Sequence, residues 1–590
     1  MRLRLFLTAV GLLSAAWPLC AAAADLPGPV TATDGTPGAA APAPDRDPAA
    51  PDRDPTAPDR DPTALWPVTL PLRTQTLVNL SWAGQLRLRA EAWGGIRYNA
   101  DNALLPAHLD LRHGTADKPG PPADGRMLGS DLRLRLEPTI AVGDWSVVHL
   151  QVDAAGLWNS LDDKAVLRDR FAAGTIGTGP LDSSLGVRRL WWKARLVGLC
   201  DLQIGRMPDH FGLGMVRNQG GDLDQDHQSD VDRIKLSAEM FGIRGAISRA
   251  NLASLPFVSD DSALGNYNNA VGGSWGGSTA VPFTLRSGST GLALQDSADV
   301  IRWDFEVGGG QIVKNRGWTW DIALLWQSQD FALVSETQAL NEAVSPLDKL
   351  TERNCGANCG LLSHRGLRTW TFQGALDWQG EAAGHPLQLQ LEGAFIYGNL
   401  ARTDITTAAD DKTIASGGVA ARANWQRGRQ AWKLDLGFAS GETEGGFGVR
   451  DQTAFKTGGL PDGAPRELLT GFRFHKSFRL DGVLFRDVIG AVANAWYARP
   501  ALRHTWDLGG GYGFSADLGV LGAAAMFAAA TPGKKRLLGI EPDLSLGLSA
   551  GQSQLQLRSS VLLPGAAFDN AAGIAADPNW RVDAIWQLRF

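Results

Sequence analysis

The sequence feature that most limits the possible fold is a strict two-residue alternation, and the last stretch of the chain shows it most clearly. From Trp580 to Phe590, every second residue is apolar, and the residues between them are polar except Ile585. Successive side chains of a β-strand point to opposite faces, so this stretch predicts a strand with one apolar and one polar face. Taken alone, it would suit an edge strand of any antiparallel sheet.

The same alternation recurs from Gly84 to the end of the chain. Many of the alternating segments are about 9–14 residues long, the length that a tilted strand needs to cross a bilayer. Short connections such as 142–144 and 428–430 alternate with long polar stretches such as 99–126, 252–296, 330–366 and 441–492, and we expect the last two to be extracellular loops. Alternation alone would also fit a soluble β-sandwich, but short turns on one side and long loops on the other are typical of transmembrane barrels.

The predicted fold is therefore all-β, an antiparallel transmembrane β-barrel of about 18 strands. Sixteen strands are the alternative, because the segments at 199–207 and 242–250 have weak patterns. An even number of strands returns the C-terminus to the side where the barrel begins and puts every long loop on the other side. The predicted organisation is a signal peptide (1–24), a disordered Pro/Asp/Ala-rich periplasmic tail (25–64), a linker (65–83) and the outer-membrane barrel (84–590).

The N-terminal region carries signs of export. Arg2 and Arg4 precede an apolar core, and Ala22 to Ala24 supply a small-residue cleavage site. The tail repeats Pro-Asp-Arg-Asp-Pro three times at a period of seven residues, and prolines at this density prevent helices and sheet ladders.

Composition excludes several classes of protein. With 44% apolar and 20% charged residues the chain cannot be wholly disordered, and a net charge of −6 gives no basic excess for nucleic acid. No apolar run long enough for a helical membrane span follows the N-terminus. Seventy Gly and 21 Trp together suit a barrel with aromatic girdles at the two lipid interfaces.

Two stretches depart from the alternation: GRMPDHFGLG at 205–214 and the region from FRFH at 472–475 to Arg499-Pro500. There the chain resembles a family of bacterial outer-membrane β-barrel proteins with no assigned function. More distantly, it resembles porin and polysaccharide-export barrels. The terminal Phe590 is similar to the last residue of outer-membrane barrels, which the barrel assembly machinery reads. The resemblance implies a Gram-negative outer-membrane location, contact with membrane lipid and lipopolysaccharide, and no catalytic residues.

Charged residues at the polar positions of the strands are expected to line the pore. They form a mainly basic arc in the first strands and an acidic arc in strands eight to eleven, so we expect an electric field across the lumen. The alternative is that these charges pair across neighbouring strands, as Glu91 with Arg133. The predicted pore-lining residues are Arg87, Arg89, Glu91, Arg133, Arg135, Glu137, Arg189, Lys193, Arg195, Arg206, Asp304, Glu306, Asp321, Asp377 and Glu392.

An acidic run and an apolar run lie in two of the long connections. Asp222, Asp224 and Asp226 have the alternate spacing of a calcium loop. His227 stands where that loop needs Gly, and Arg233 where it needs Glu, so an acidic surface loop bridged to lipopolysaccharide by divalent ions is the alternative. Residues 478–490 have partly helical apolar spacing and predict a short helix that either packs on the barrel wall or plugs the lumen.

The function that these features predict is a porin-like channel for diffusion or export of small hydrophilic solutes. The alternative is a plugged structural or adhesive barrel whose extracellular loops bind partners. The nine His are scattered and no Gly-x-Ser-x-Gly elbow stands out, so we do not expect an enzyme. Apart from the calcium alternative, we expect no cofactor.

The first prediction concerns Cys355 and Cys359, which lie in an Asn/Gly-rich stretch of an exported chain. We expect a disulfide between them, because thiols outside the cytoplasm oxidise and a metal site would need more ligands than the nearby His364. Mass mapping of non-reduced peptides should reveal the crosslink, whereas two free thiols after oxidising purification would exclude it.

Overall fold

A computed structural model of the chain describes residues 78–94, 127–159, 185–196, 200–225, 228–253, 300–313, 316–335, 360–400, 412–442, 468–569 and 575–590. The predicted signal peptide and tail lie outside the described residues, as do Cys355, Cys359, Asp226 and His227. No helix in the described part of the chain is long and apolar enough to span a membrane.

Most described residues belong to β-strands. In chain order the strands are β1 (Val78–Gly94), β2 (Met127–Val142), β3 (Ser146–Asn159), β4 (Leu185–Leu196), β5 (Cys200–Pro208), β6 (Asp230–Met240), β7 (Ile243–Ala253), β8 (Val300–Val313), β9 (Arg316–Ser335), β10 (Gly360–Ala382), β11 (His385–Leu400), β12 (Lys412–Arg427), β13 (Gln430–Ala439), β14 (Leu468–Leu469), β15 (Ala495–Gly509), β16 (Tyr512–Ala525), β17 (Leu537–Ala550), β18 (Ser553–Pro564) and β19 (Asn579–Arg589).

The strands form one closed barrel in which each long strand pairs antiparallel with its neighbours along the chain. The two-residue β14 is the exception, since it adds a short parallel bridge to β12 while β13 pairs directly with β15. The other 18 strands make the wall, which confirms the predicted count and excludes the 16-strand alternative. The two segments with weak patterns are real strands, β5 and β7.

Closure occurs between the first and last strands. β1 pairs with both β2 and β19, and Gly84 and Phe590 exchange backbone hydrogen bonds of 2.8 and 3.0 Å. Along β19, Trp580, Val582 and Trp586 face outwards, while Arg581, Asp583 and the exceptional Ile585 face inwards and are buried. A closed sheet leaves no edge with unpaired N–H and C=O groups, which is the condition for crossing a bilayer with strands.

The connections sort by length to the two ends of the barrel. Eight connections, such as 241–242 and 383–384, have only two or three residues, and nine others have eleven or more. Both residues of these two named turns have positive φ, including Phe241 (56°) and Ala383 (53°). This is the conformation of a type I′ hairpin, which matches the twist of the strands it joins.

Aromatic side chains mark two levels on the outer face. Trp303, Trp326, Trp370 and Tyr397 lie directly opposite one another on β8 to β11, and Trp318 lies opposite Trp378 nearer the short turns. Trp370 and Trp378 are eight residues apart on β10. At a rise of about 3.3 Å per residue this is about 26 Å along the strand, or about 20 Å across a bilayer at the usual tilt. The spacing fits two interfacial girdles.

Several predicted boundaries shift. β1 begins at Val78, six residues before the predicted barrel start at 84. The predicted loop at 330–366 is shorter than expected, because β9 extends to Ser335 and β10 begins at Gly360. The predicted extracellular loop at 441–492 needs a larger correction, since its described part folds into the barrel.

The second prediction follows from the unequal connections, because short turns lie on the periplasmic side of outer-membrane barrels. An epitope tag inserted in the 336–359 connection should be stained on intact cells. A tag at the Gly428-Arg429 turn should be stained only after permeabilisation. The reverse pattern would show that the barrel is inserted in the opposite orientation.

Candidate functional site

The candidate site is the interior of the barrel, where the predicted charged positions meet two segments that fold inwards. Most of the predicted pore-lining residues occupy the inward face, and nine of them are buried: Arg87, Arg89, Glu91, Arg133, Arg135, Arg189, Lys193, Asp304 and Glu392. Arg195, Glu306 and Asp321 keep part of their surface accessible. Asp377 is half-buried and accepts hydrogen bonds from Gln388 and Gln390.

The predicted pore-lining position of Arg206 is wrong. Arg206 shares the outward face of β5 with Ile204 and forms a bidentate pair, at 2.7 Å for each contact, with Asp232, which shares the outward face of β6 with Ile234. The side chains of Arg206 and Asp232 are 41% and 50% exposed. Position 206 follows the same alternation as Ile204, and the inward place is taken by Met207 instead.

The first inner segment, residues 209–229 between β5 and β6, crosses the lumen. At one side Arg87 and Arg133 of β1 and β2 donate to its backbone carbonyls at Leu223 and Gln225. At the other side, Glu392 of β11 accepts the Met215 N–H at 3.0 Å. These strands lie far apart around the barrel, so a segment that contacts all of them must pass through the interior.

A glycine allows the close approach of this segment to the wall. Gly212 has a φ of +55°, and a Cβ atom built on it would lie 2.9 Å from the Glu392 carboxylate. Any other residue would combine left-handed backbone strain with a clash against a buried side chain.

Asp209 anchors the start of the first inner segment. Its carboxylate accepts hydrogen bonds from Arg217 (3.0 Å), Arg233 (3.2 Å) and Arg302 (2.6 Å), and all four side chains are buried. Burial by itself would raise the pKa of Asp209, but the three guanidinium groups hold that pKa well below its ordinary value. Asp209 is therefore ionised at neutral pH and ties the segment to β6 and β8.

Asp224 anchors the far end of the same segment. It accepts from Arg89 of β1 (3.0 Å), Arg558 of β18 (2.8 Å) and the guanidinium of Arg486. Burial opposes ionisation, yet the charges of Arg486, Arg558 and Arg89 hold the pKa of Asp224 well below its ordinary value. This carboxylate joins two wall strands that are remote in sequence to Arg486, which belongs to the second inner segment.

The second inner segment, residues 470–494 between β13 and β15, fills the rest of the lumen at the depth where the first inner segment crosses it. It contains a single π-helical turn, Leu484–Val488, within the 478–490 stretch whose spacing predicts a short helix. Glu541 of β17 accepts the N–H groups of Gly482, Val483 and Leu484 at 2.8–2.9 Å. Asp487 accepts from Trp93 of β1 and Arg581 of β19, so the segment lies inside the lumen and packs on its wall.

The two inner segments pack on each other through an apolar cluster. Met215 of the first segment is fully buried among residues of the second, and the His475 N–H donates to its carbonyl at 2.7 Å. Phe474 makes edge contacts with Phe478 and with Tyr497 of the wall at ring-centroid distances of 5.2 and 6.3 Å. This cluster is the main apolar core of a barrel whose outer face is covered by lipid.

His475 is held neutral at the junction of the segments. Burial, and then the nearby positive charge of Arg479, lower its pKa to about 4. Its Nδ1 accepts the Ser477 N–H at 3.0 Å, which leaves the proton on Nε2 to donate to the Ser229 hydroxyl at 3.1 Å. The ring therefore acts as a neutral bridge between the segments.

Local pairing accounts for much of the predicted basic arc. Asp131 pairs with Arg87 and Arg89, and Asp153 pairs with Arg135 at 2.7 Å. Glu91 pairs with Arg581 of β19 at 2.6 Å. The pairs favour the cross-strand alternative over an unbalanced field, and they make these arginines supports of the inner segments.

The calcium hypothesis finds no support at Asp222 and Asp224. The Asp224 oxygens are occupied by guanidinium groups, and Asp222 accepts from the side chain of Gln225 at 2.6 Å. Among the residues that the structure describes, no group of three or more His, Cys, Asp and Glu side chains is placed to hold a metal ion. Three cationic groups at Asp224 would oppose a bound cation.

Sequence reasoning did not identify the groups that tie the inner segments together: Asp209, Arg217, Arg486, Glu541, Arg558 and Arg581. The departure of 205–214 and 472–500 from the two-residue period is the one signal that marked this region. It shows where the wall pattern stops, but the partners of these residues lie on strands remote in sequence.

The closed wall, outward apolar band, aromatic levels and segregated connections identify the architecture. The chain is an outer-membrane β-barrel. No protein-family model matches it, and no curated protein sequence does.

Solved structures with a similar fold are outer-membrane porins. The crystal structure of a BenF-like porin from Pseudomonas fluorescens Pf-5 has 8% identity and a TM-score of 0.44, and covers 87% of this chain and 98% of its own. Pseudomonas aeruginosa OccK11 (OpdR) has 12% identity and a TM-score of 0.40, with 86% and 96% covered. These similarities concern the barrel fold, and the functional argument below depends on the residues of this chain.

The third prediction concerns Asp209. Its replacement by Asn leaves three buried guanidinium groups without their shared carboxylate, so we expect a loss of about 3–5 kcal/mol in the free energy of unfolding. Because the pKa of Asp209 is depressed, its contribution is complete above the ordinary Asp pKa and is lost as the pH falls through its lower folded-state value. Denaturant titration of the folded barrel in lipid measures both effects.

The matched control is Glu381→Gln, which removes a carboxylate from an exposed pair with Arg316 at the barrel rim. That variant should unfold like the unmodified protein, because an exposed ion pair adds little to stability. Equal stability of the Asp209→Asn variant and this control would show that the inner segment is held without the Asp209 contacts.

Proposed function

We propose that the protein is a porin-like channel of the Gram-negative outer membrane that passes small hydrophilic solutes. The observation that carries the proposal is the polar lumen between the inner segments and the short turns. There the side chains of Arg422, Lys433 and Arg503 are 24–30% exposed although they face the interior of a closed barrel. Charged groups keep such exposure inside a barrel where the lumen holds water.

The inner segments set the width of the path. They contact inward residues on at least β1, β2, β8, β11, β17 and β19, so solutes must pass between them or between a segment and the wall. A narrow, charged passage excludes large and apolar solutes. The inward-facing members of the predicted pore-lining set, without Arg206, are the residues we propose to line or support it.

Because the two inner segments occupy the lumen, one alternative function is a structural or adhesive barrel that does not conduct. The two functions differ in one property, since only a channel carries steady ionic current when purified full-length protein is placed in a planar bilayer. The expected partners are membrane lipid, lipopolysaccharide and, through Phe590, the assembly machinery. Phe590 is half exposed and lies at the closing seam, where these contacts are accessible. We propose no catalytic role and no cofactor.

The fourth prediction tests the channel and its constriction together. Asp224→Asn removes the carboxylate shared by Arg89, Arg486 and Arg558. The two inner segments then lose the ion pair that joins them, and the uncompensated charges of Arg89, Arg486 and Arg558 repel one another, so single-channel conductance should rise several-fold over the unmodified protein.

The matched control is Asp201→Asn. It removes an equal charge from the lumen near the short turns, where Asp201 forms ion pairs with Lys193 and Arg195, away from the inner segments. Its conductance should stay close to that of the unmodified protein. If the unmodified protein and both variants carried no current in bilayers, the channel would be overturned in favour of the structural barrel. Heat-modifiable gel mobility would show that all three proteins are correctly folded.

A further inference from the structure

Three carboxyl groups meet where the second inner segment docks on β17. Asp481 belongs to the segment, and Glu541 and Asp543 lie on the inward face of the strand. Glu541 is fully buried and Asp543 nearly so, while Asp481 keeps part of its surface accessible. The cluster is therefore enclosed, but one of its members can exchange protons with the lumen.

Each carboxyl group has a defined role in docking. Glu541 binds the N–H groups of Gly482, Val483 and Leu484 and so fixes the π-helical turn to the wall. Asp481 accepts the Phe485 N–H and closes the same turn internally. Asp543 accepts from Arg499 of β15 at 3.2 Å. The loss of any one carboxyl group would loosen either the turn or its attachment.

When all three carboxyl groups of the cluster are ionised, the nearby cations do not neutralise their negative charge. These carboxyl groups repel one another, and the carboxylate of Asp487 adds to the negative charge. The facing cations are Arg499, bound to Asp543, and Arg479 on the segment itself, while Asp487 is bound to Arg581. Neighbouring buried carboxyl groups of this kind share protons because they cannot all carry charge.

We propose that this cluster is a proton-controlled latch: with a proton bound, the second inner segment stays docked on β17, and loss of the proton releases it and widens the channel. The proposal rests on the channel function above and adds a regulator to it. It concerns the β17 side of the second inner segment. Asp209 holds the first inner segment without contact to this segment, whereas Asp224 also binds Arg486 of the second.

The direction of the pH effect follows from Asp481. Burial, and then the negative charges of Asp543 and Asp487, raise its pKa to about 7 against the opposing effect of the Phe485 N–H and Arg479. A carboxyl group whose pKa is raised in the docked state stabilises docking fully below its ordinary pKa, near 4. That stability is lost as the pH rises through about 7, so alkaline conditions favour release.

The test is conductance of the full-length protein in planar bilayers between pH 5 and pH 9. Conductance or open probability should increase as the pH rises past neutrality, by up to about tenfold per pH unit for one linked proton. Asp481→Asn imitates the protonated state and should keep the channel narrow at every pH. Glu541→Gln places an amide against three N–H groups and should keep it wide at every pH.

The matched control is Asp517→Asn, an inward carboxylate on β16 that pairs with Arg503 outside the cluster. This variant should keep the pH response of the unmodified protein. An unchanged pH response in Asp481→Asn would overturn the latch while leaving the channel intact.

Amide hydrogen exchange of residues 482–485 supplies a second readout that needs no current. Relative to Asp481→Asn at each pH, exchange in the unmodified protein should accelerate above neutrality. If this occurs without conductance, the latch stands and the channel function fails. Equal exchange in the two proteins across the pH range would overturn the latch.

Discussion

The interior of this barrel depends on the neutralisation of buried charge by shared carboxylates. Asp209 and Asp224 each bind three guanidinium groups, two from wall strands and one from an inner segment. A buried charge without a partner costs several kcal/mol, so removing either carboxylate destabilises all of its partners. The inner segments stay in the lumen because they carry the counter-charges that the wall arginines require.

This arrangement explains why so polar a lumen can contain a packed core. In a soluble protein the apolar residues collect between layers of secondary structure. Here the outer face is covered by lipid, so the apolar core lies between the inner segments, where Met215, Phe474 and Leu484 are buried. Ionic contacts surround this cluster and set its position. A substitution of Asp209 or Asp224 should therefore also alter contacts on the opposite side of the barrel wall.

The same contacts give the lumen its functional character. Towards the short turns the wall is polar and wet, with pairs such as Arg422–Asp435 and Arg503–Asp517. At the level of the inner segments it is filled and held by hydrogen bonds. A passage of this form is selective because its narrowest part is made of residues with fixed partners, and it can be regulated where those partners titrate, as at Asp481.

The sequence by itself determined the wall, because a two-residue period is a local property and short turns fix the register of neighbouring strands. It predicted the strand number, the sorting of connections and the inward positions of Arg87, Arg133 and Glu392. Only the tertiary structure decided the orientation of Arg206, since a polar residue near the end of a strand can face out beside Asp232 as well as in. It also decided the contents of the lumen. Asp224 and Arg558 are 334 residues apart, and no local pattern indicates that such groups will meet.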